Sequence, residues 1–134
     1  MRIIFDTNIW VSFLIGKRLA FFRSFFECPD VEIWYSVELE LEFLDVANRE
    51  KIRKYVDEKQ IERVHQLMIN SCYRCEINVH KELLVRDPKD AYLLALSDSV
   101  CADYLITGDA DFKDIRQHNQ TRIIDVGAAF LLLR

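Results

Sequence analysis

Four acidic residues, Asp6, Glu42, Asp90 and Asp109, stand where an apolar run ends or a helix begins. Asp6 closes Ile3-Ile4-Phe5, and Asp109 follows Tyr104-Leu105-Ile106-Thr107-Gly108. Ligands bind at the carboxyl edge of open parallel sheets, which is where two such acids would lie. Carboxylates gathered at one edge repel each other unless they are protonated or neutralised by cations. Hard oxygen donors of this kind suit Mg²⁺ or Mn²⁺. The chemistry in view is therefore that of a divalent-metal site.

Each acid also has a plain structural reading. Asp6, followed by Thr7 and Asn8, fits a local hydrogen-bonded turn. Glu42 falls beside Leu39 and Val46, on the border of its helix's apolar stripe, where rim glutamates are common; Glu38, Asp45 and Arg49 lie further round the polar side. Asp90, in the first turn of its helix, is favourable there through the helix dipole alone. Asp109, with Asp111 two residues on, fits an ordinary Gly-Asp turn after a strand. The metal-site reading gains its weight from four acids arriving at one sheet edge by four separate elements.

Those elements alternate. Residues 2–6 read as a buried strand, and about 18–27 as a helix carrying Phe22, Phe25 and Phe26. Val31–Tyr35 alternates with period two and reads as a strand. Ser36 can cap a helix running to about Arg49. Residues 57–70 place Ile61, Val64 and Met68 on one helical face. Tyr73–Val79 reads as a short strand. Asp87-Pro88 opens a helix to about Val100, with Asp as cap and Pro at the first helical position. Strands follow at Tyr104–Thr107 and Arg122–Val126, and a last helix at Ala128–Leu133. Strands separated by helices imply an α/β fold with a parallel sheet covered on both faces. No repeat, low-complexity segment or domain boundary interrupts residues 1–134, which read as one domain.

Composition is compatible with this. Of 134 residues, 51% are hydrophobic and 30% charged, with only 3 Gly and 2 Pro, enough core for independent folding and too little punctuation for a linker or disorder. No apolar run approaches the ~20 residues that span a bilayer. The apolar start is cut short by Asp6, too soon for a signal peptide, so the cytoplasm is the expected compartment. The cysteines are Cys28, Cys72, Cys75 and Cys101. Cys72-Tyr-Arg-Cys75 has no partner motif to complete a zinc site, and reduced thiols are the expectation. The net charge of -4 is unusual for a nucleic-acid binder. The four acids carry all of it, however, and two divalent ions would cancel it.

In these segments the chain resembles the PIN-domain family, including the VapC-type and related toxins of toxin–antitoxin pairs. Ile3-Ile4-Phe5-Asp6-Thr7-Asn8 resembles the family's opening strand. Ser36 to Phe43 resembles the helix carrying its second acid. Arg86-Asp87-Pro88-Lys89-Asp90 through Leu96 resembles the Asp-x-x-Asp segment, and Ala102 to Phe112 the strand ending in Thr-x-Asp-x-Asp. The match runs nearly end to end. Val37, Trp10 and Ser97 depart from the usual pattern without removing an acid, and Trp10 is expected at the rim of the site.

The resemblance implies a three-layer α/β/α fold with a central parallel sheet, and a metal-dependent ribonuclease. Asp6, Glu42, Asp90 and Asp109 would hold Mg²⁺ or Mn²⁺, assisted by Asp111. Thr7, Asn8 and Thr107 would orient them through hydrogen bonds. Metal-activated water would cleave single-stranded or loop RNA. A cognate antitoxin protein and a homodimer are the implied partners. Candidate RNA contacts are Lys17 and Arg18 in the loop after the first strand, and Arg49, Lys51, Arg53 and Lys54 after the second-acid helix. Tyr35, Tyr92 and Trp10 are candidates for stacking on bases. His65, His80 and His118 fall outside the matched segments and read as surface or packing residues. The alternatives are a non-catalytic PIN-like module that binds RNA or protein, and a different α/β protein. A phospho-acceptor receiver would want an acidic pair after the first strand and a strand-end Lys, neither of which is present. A haloacid-dehalogenase-type phosphatase would want an acid where Asn8 stands.

Overall fold

The computed structural model describes residues 1–77, 88–109, 112 and 115–133, with the backbone alone for 88–90. The strands are β1 (Arg2–Phe5), β2 (Glu32–Tyr35), β3 (Tyr73–Arg74), β4 (Tyr104–Ile106), β5 (Gln117–His118) and β6 (Thr121–Ile124). They form one sheet in the order β3-β2-β1-β4-β6-β5. Every pairing is parallel except β5 with β6. Helices flank it as α1 (Thr7–Leu14), α2 (Leu19–Glu27), α3 (Val37–Ala47), α4 (Glu50–Arg53), α5 (Glu58–Ser71), α6 (Pro88–Val100) and α7 (Val126–Phe130), the last continued by a 3₁₀ turn, Leu131–Leu133. The architecture is the expected three-layer α/β/α. Among the described residues no helix is long and apolar enough to cross a membrane.

Burial of β1 explains its unbroken apolar run. Ile3, Ile4 and Phe5 are all fully buried, as strands covered on both faces require. Phe5 meets Trp10 of α1 and Phe21, Phe22 and Phe25 of α2, with ring centroids 5.4–6.0 Å apart. Trp10 in turn lies edge-on to Phe43 of α3. This aromatic cluster ties three helices to one face of the first strand.

Several boundaries differ from expectation. The stretch after β1 is a helix, α1, not a loop. Five of its eight residues are apolar, Ile9, Trp10, Val11 and Leu14 are all buried, and the polar Asn8 and Ser12, four residues apart, mark its outer side. Lys17 and Arg18 therefore lie in the turn between α1 and α2, which reverses through positive φ at Gly16 and Arg18. The second-acid helix ends at Ala47 rather than Arg49, and Arg49 is the N-cap of α4. Of the strand expected at Tyr73–Val79, only Tyr73–Arg74 is in the sheet; residues 78 and 79 lie outside the described ones, as do Asp87 and His80. The expected strand from Arg122 starts at Thr121, and Val126 already belongs to α7.

Candidate active site

Strand order reverses between β1 and β4, because β1 is followed by β2 on one side while β4 and β6 continue on the other. Chains leaving adjacent strands at such a point diverge and leave a crevice. Asp6 and Thr107 are the first residues beyond the carboxyl ends of these two strands. The Asp6 N–H donates to the Ile106 carbonyl at 3.0 Å, so the two exits are joined.

Thr107 links the acids on either side. Its hydroxyl donates to Asp6 Oδ2 at 2.6 Å and accepts from the Asp109 N–H at 3.0 Å. Asp6 is buried. Burial pushes its carboxyl above the ordinary value of 3.8, and repulsion from Glu42 and Asp109 adds to the rise, against the lowering effect of the bonds from Thr107 and the Thr7 backbone. Sequence distances of 36 and 103 residues thus collapse to electrostatic contact.

Glu42 reaches the crevice because of how α3 sits. Ser36 caps the helix, accepting from the Leu39 N–H at 3.3 Å, and Leu39, Phe43 and Ala47 bury at four-residue spacing. One residue before Phe43 and three after Leu39, Glu42 lies on the edge of that stripe, half-buried. Its carboxylate accepts a very short hydrogen bond from the Tyr92 hydroxyl, which also lies 3.3 Å from Thr7 Oγ1. Burial, then the bond to Glu42, pushes the Tyr92 phenol upward, so it stays a neutral donor.

The sequence offers Tyr92 for base stacking or for the core, not as a hydrogen-bond partner of Glu42. Its position inside an apolar run, Ala91 to Leu96, reads as core, and the whole stretch is indeed buried. Nothing in the sequence sets its hydroxyl apart from its ring. Two other expectations change as well. Trp10 is fully buried and Tyr35 almost so. With Tyr92 also inside, none of the three is open for base stacking, and Trp10 forms no rim. Asn8 is exposed at the start of α1, and its carbonyl accepts from Ser12 Oγ.

α6 carries Asp90 in its first turn. The helix ends beside the start of β1, where Arg2 Nη1 donates to the Val100 carbonyl at 2.7 Å. It therefore begins at the opposite, carboxyl edge of the sheet, the edge of the crevice. The Asp90 side chain and all of Asp111 lie outside the described residues. Among the described residues, no group of three or more His, Cys, Asp or Glu side chains lies close enough together to hold a metal ion. The donors present are of the right type, because Mg²⁺ binds through one or two carboxylates while keeping several waters. A buried carboxylate under the repulsion of two others, as Asp6 is, is an environment that a cation relieves.

The expected basic residues lie elsewhere. Ile15, Lys17 and Tyr55 line a common pocket of about 280 Å³, which brings the α1–α2 turn beside the end of α4. Eight residues of α1 separate this turn from Asp6, about 12 Å of helix. Lys17, Arg18, Lys51 and Lys54 are exposed. Arg49 pairs with Asp45 at 3.1 Å and Arg53 with Glu58 at 3.7 Å. Glu38, expected on the polar side of α3, has Oε2 buried without a partner among the described residues.

The remaining candidates are structural. His65 bonds Glu40 at 2.6 Å, joining α5 to α3, and His118 bonds Asp98 at 3.0 Å, joining the β5–β6 hairpin to α6. All four cysteines are free thiols. Cys72 and Cys75 flank β3, and three residues of extended chain span about 10 Å. That is too far for a disulfide. Burial pushes the Cys72 thiol up to about 12, which leaves it protonated.

A PIN-domain family model matches residues 2–111. A search of curated proteins gives no match. Among solved structures, the chain is similar to one described as VapBC2 from Rickettsia felis bound to a DNA fragment from their promoter. The TM-score is 0.63 at 16% identity, covering 93% of this chain and 98% of the other.

Proposed function

The chain belongs to the PIN-domain family, and from that we propose that it is a Mg²⁺- or Mn²⁺-dependent ribonuclease cleaving single-stranded or loop RNA. The observation that carries this reading is the meeting of Asp6, Glu42 and Asp109 at the β1/β4 crevice, with a shared Thr107 between two of them. Asp90 joins them in the proposal through the placement of α6, and Asp111 through its nearness in sequence to Asp109.

The chain's own residues would do three things. Asp6, Glu42 and Asp109 supply negative oxygen donors within electrostatic reach of one another. Thr107 and Tyr92 hold Asp6 and Glu42 in fixed orientations while adding no charge of their own. Burial keeps bulk water from screening Asp6, which strengthens its attraction for a cation. A divalent ion bound there supplies charge neutralisation and a water acidified enough to attack phosphorus. The product ends expected are 5′-phosphate and 3′-hydroxyl.

Membership of this family and likeness to a VapBC complex support a second part of the proposal, that the chain is a toxin restrained by a cognate antitoxin and works as a homodimer in the cytoplasm. The deciding assay incubates the purified chain with single-stranded RNA, with Mg²⁺ or Mn²⁺ and then with EDTA. Cleavage abolished by EDTA supports the nuclease. Binding of RNA or protein without cleavage under any divalent ion would replace it by the non-catalytic module.

A further inference from the structure

A cavity on the β6 side of the sheet has a volume of about 490 Å³, within the roughly 300–1,000 Å³ typical of ligand sites. It lies along β6 and shares Thr107 as a wall with the acidic crevice. Its lining joins the apolar side chains of Phe112, Ile123, Ile124 and Ala128 to the arginines Arg116 and Arg122. Both arginines are exposed. Neither guanidinium is in an ion pair among the described residues, whereas Arg2, Arg49 and Arg53 each have a carboxylate partner. Among the described residues, Asp125 is the one acid on the wall. Its Oδ1 accepts the Ala128 N–H at 2.8 Å as the cap of α7, which commits that oxygen to the helix.

An apolar lining beside two uncommitted guanidiniums matches a nucleotide, with a flat base to lie on carbon and a phosphate to take forked N–H donors. The position also fits. Thr107 at the crevice is level with Asp125, one residue beyond the Ile106–Ile124 register pair, so Arg122, three residues before Asp125, lies about 10 Å along the strand from the crevice. A nucleotide together with the phosphate on its far side reaches across such a gap.

We propose that this pocket seats the nucleotide of the RNA strand flanking the scissile phosphodiester, with Arg116 and Arg122 gripping its backbone phosphate. This subsite rests on the nuclease reading for its substrate, yet its test is separable. Binding of a single-stranded RNA oligonucleotide is measured in Ca²⁺ across a salt series, for the wild type, the Arg116→Gln/Arg122→Gln double variant and Arg63→Gln, an exposed control on α5.

The double variant weakens binding about tenfold or more and lowers the slope of log affinity against log salt by about 0.7, the contribution of the one single-strand phosphate that both arginines grip. Arg63→Gln leaves both nearly unchanged. An Arg116→Lys/Arg122→Lys variant, which keeps both charges, retains the wild-type slope. Thermal midpoints stay at the wild-type value, because both side chains are on the surface. In Mg²⁺ the double variant raises KM and leaves kcat within about twofold. A double variant that binds like the control overturns the subsite while leaving cleavage intact. So does equal, arginine-dependent binding of a free mononucleotide, which would make the pocket a small-molecule site. A wild type that binds RNA through these arginines but never cleaves it overturns the nuclease reading and keeps the subsite.

Discussion

Carboxylates in two regions of this molecule live in opposite company. On the helical surfaces they meet positive or ionisable partners: Glu40 with His65, Asp98 with His118, Asp45 with Arg49. At the β1/β4 crevice, Asp6 faces Glu42 and Asp109, and the donors nearby are the hydroxyls of Thr107 and Tyr92. The first kind of contact completes itself and holds elements together. The second leaves negative charge concentrated and partly desolvated, which costs stability unless something binds. Residue type alone does not separate these regions; the sign of the neighbours does.

The sharpest way to break the comparison is Asp6→Asn. Charge goes and volume stays, so metal-dependent cleavage should fall on the order of 10⁴-fold, with the thermal midpoint unchanged or higher. Wild-type turnover in that variant would remove Asp6 from the chemistry.

Next in size is Thr107→Ala. Its hydroxyl serves both acids, and losing an orienting group of this kind costs about 10–100-fold in metal affinity or activity. Thr107→Ser should restore most of it. Isothermal titration with Mn²⁺ reads the affinity directly, and equal affinities for the Ala and Ser variants would mean the hydroxyl is idle.

The pH dependence of stability carries the same contrast. Asp6 has a folded-state pKa raised above 3.8. Its contribution is therefore fully present below that value and is lost as pH rises through the raised one, because the folded form binds the proton more tightly. In EDTA, the thermal midpoint of the wild type should fall relative to Asp6→Asn over that window. Saturating Mg²⁺ should reverse the trend, by about 2.7 kcal/mol at a hundred times its Kd. Parallel curves for the two proteins would contradict the buried-acid account.

Smaller again is Tyr92→Phe, which removes a buried hydroxyl from Glu42 and Thr7. A cost of about 1–3 kcal/mol follows for partners left unsatisfied, together with reduced cleavage. The smallest effect is expected in the other region. His65→Gln should cost about 0.5–1.5 kcal/mol in urea unfolding and leave cleavage per folded molecule as it was. A fall in activity as large as that of Thr107→Ala would erase the distinction between the two regions.

How much was legible varied with the kind of signal. The capping serine of α3 and the period of α5 announced their helices, since local hydrogen bonding and one-sided burial leave marks on sequence. α1 leaves a weaker mark, because its eight residues make only about two turns, too few to establish a period. Trp10 looked like a rim residue next to Asp6, yet packing between Phe5 and Phe43 draws it inward. Tyr92 was hidden for the same reason. Arg116 and Arg122 drew no notice because an isolated arginine is ordinary, and only the bend of the chain around β5 and β6 places both on one cavity.

By itself, the sequence determined the alternation of strand and helix, and hence a parallel sheet with its strand-end acids on the carboxyl side. Periodicity, caps and apolar runs are local quantities, and a fold class follows from them. Which acids meet, which hydroxyls hold them and which cations stay uncommitted were decided only by the tertiary structure. Those depend on strand order and helix rotation, which come from packing the whole core at once, and no short stretch of sequence records that sum.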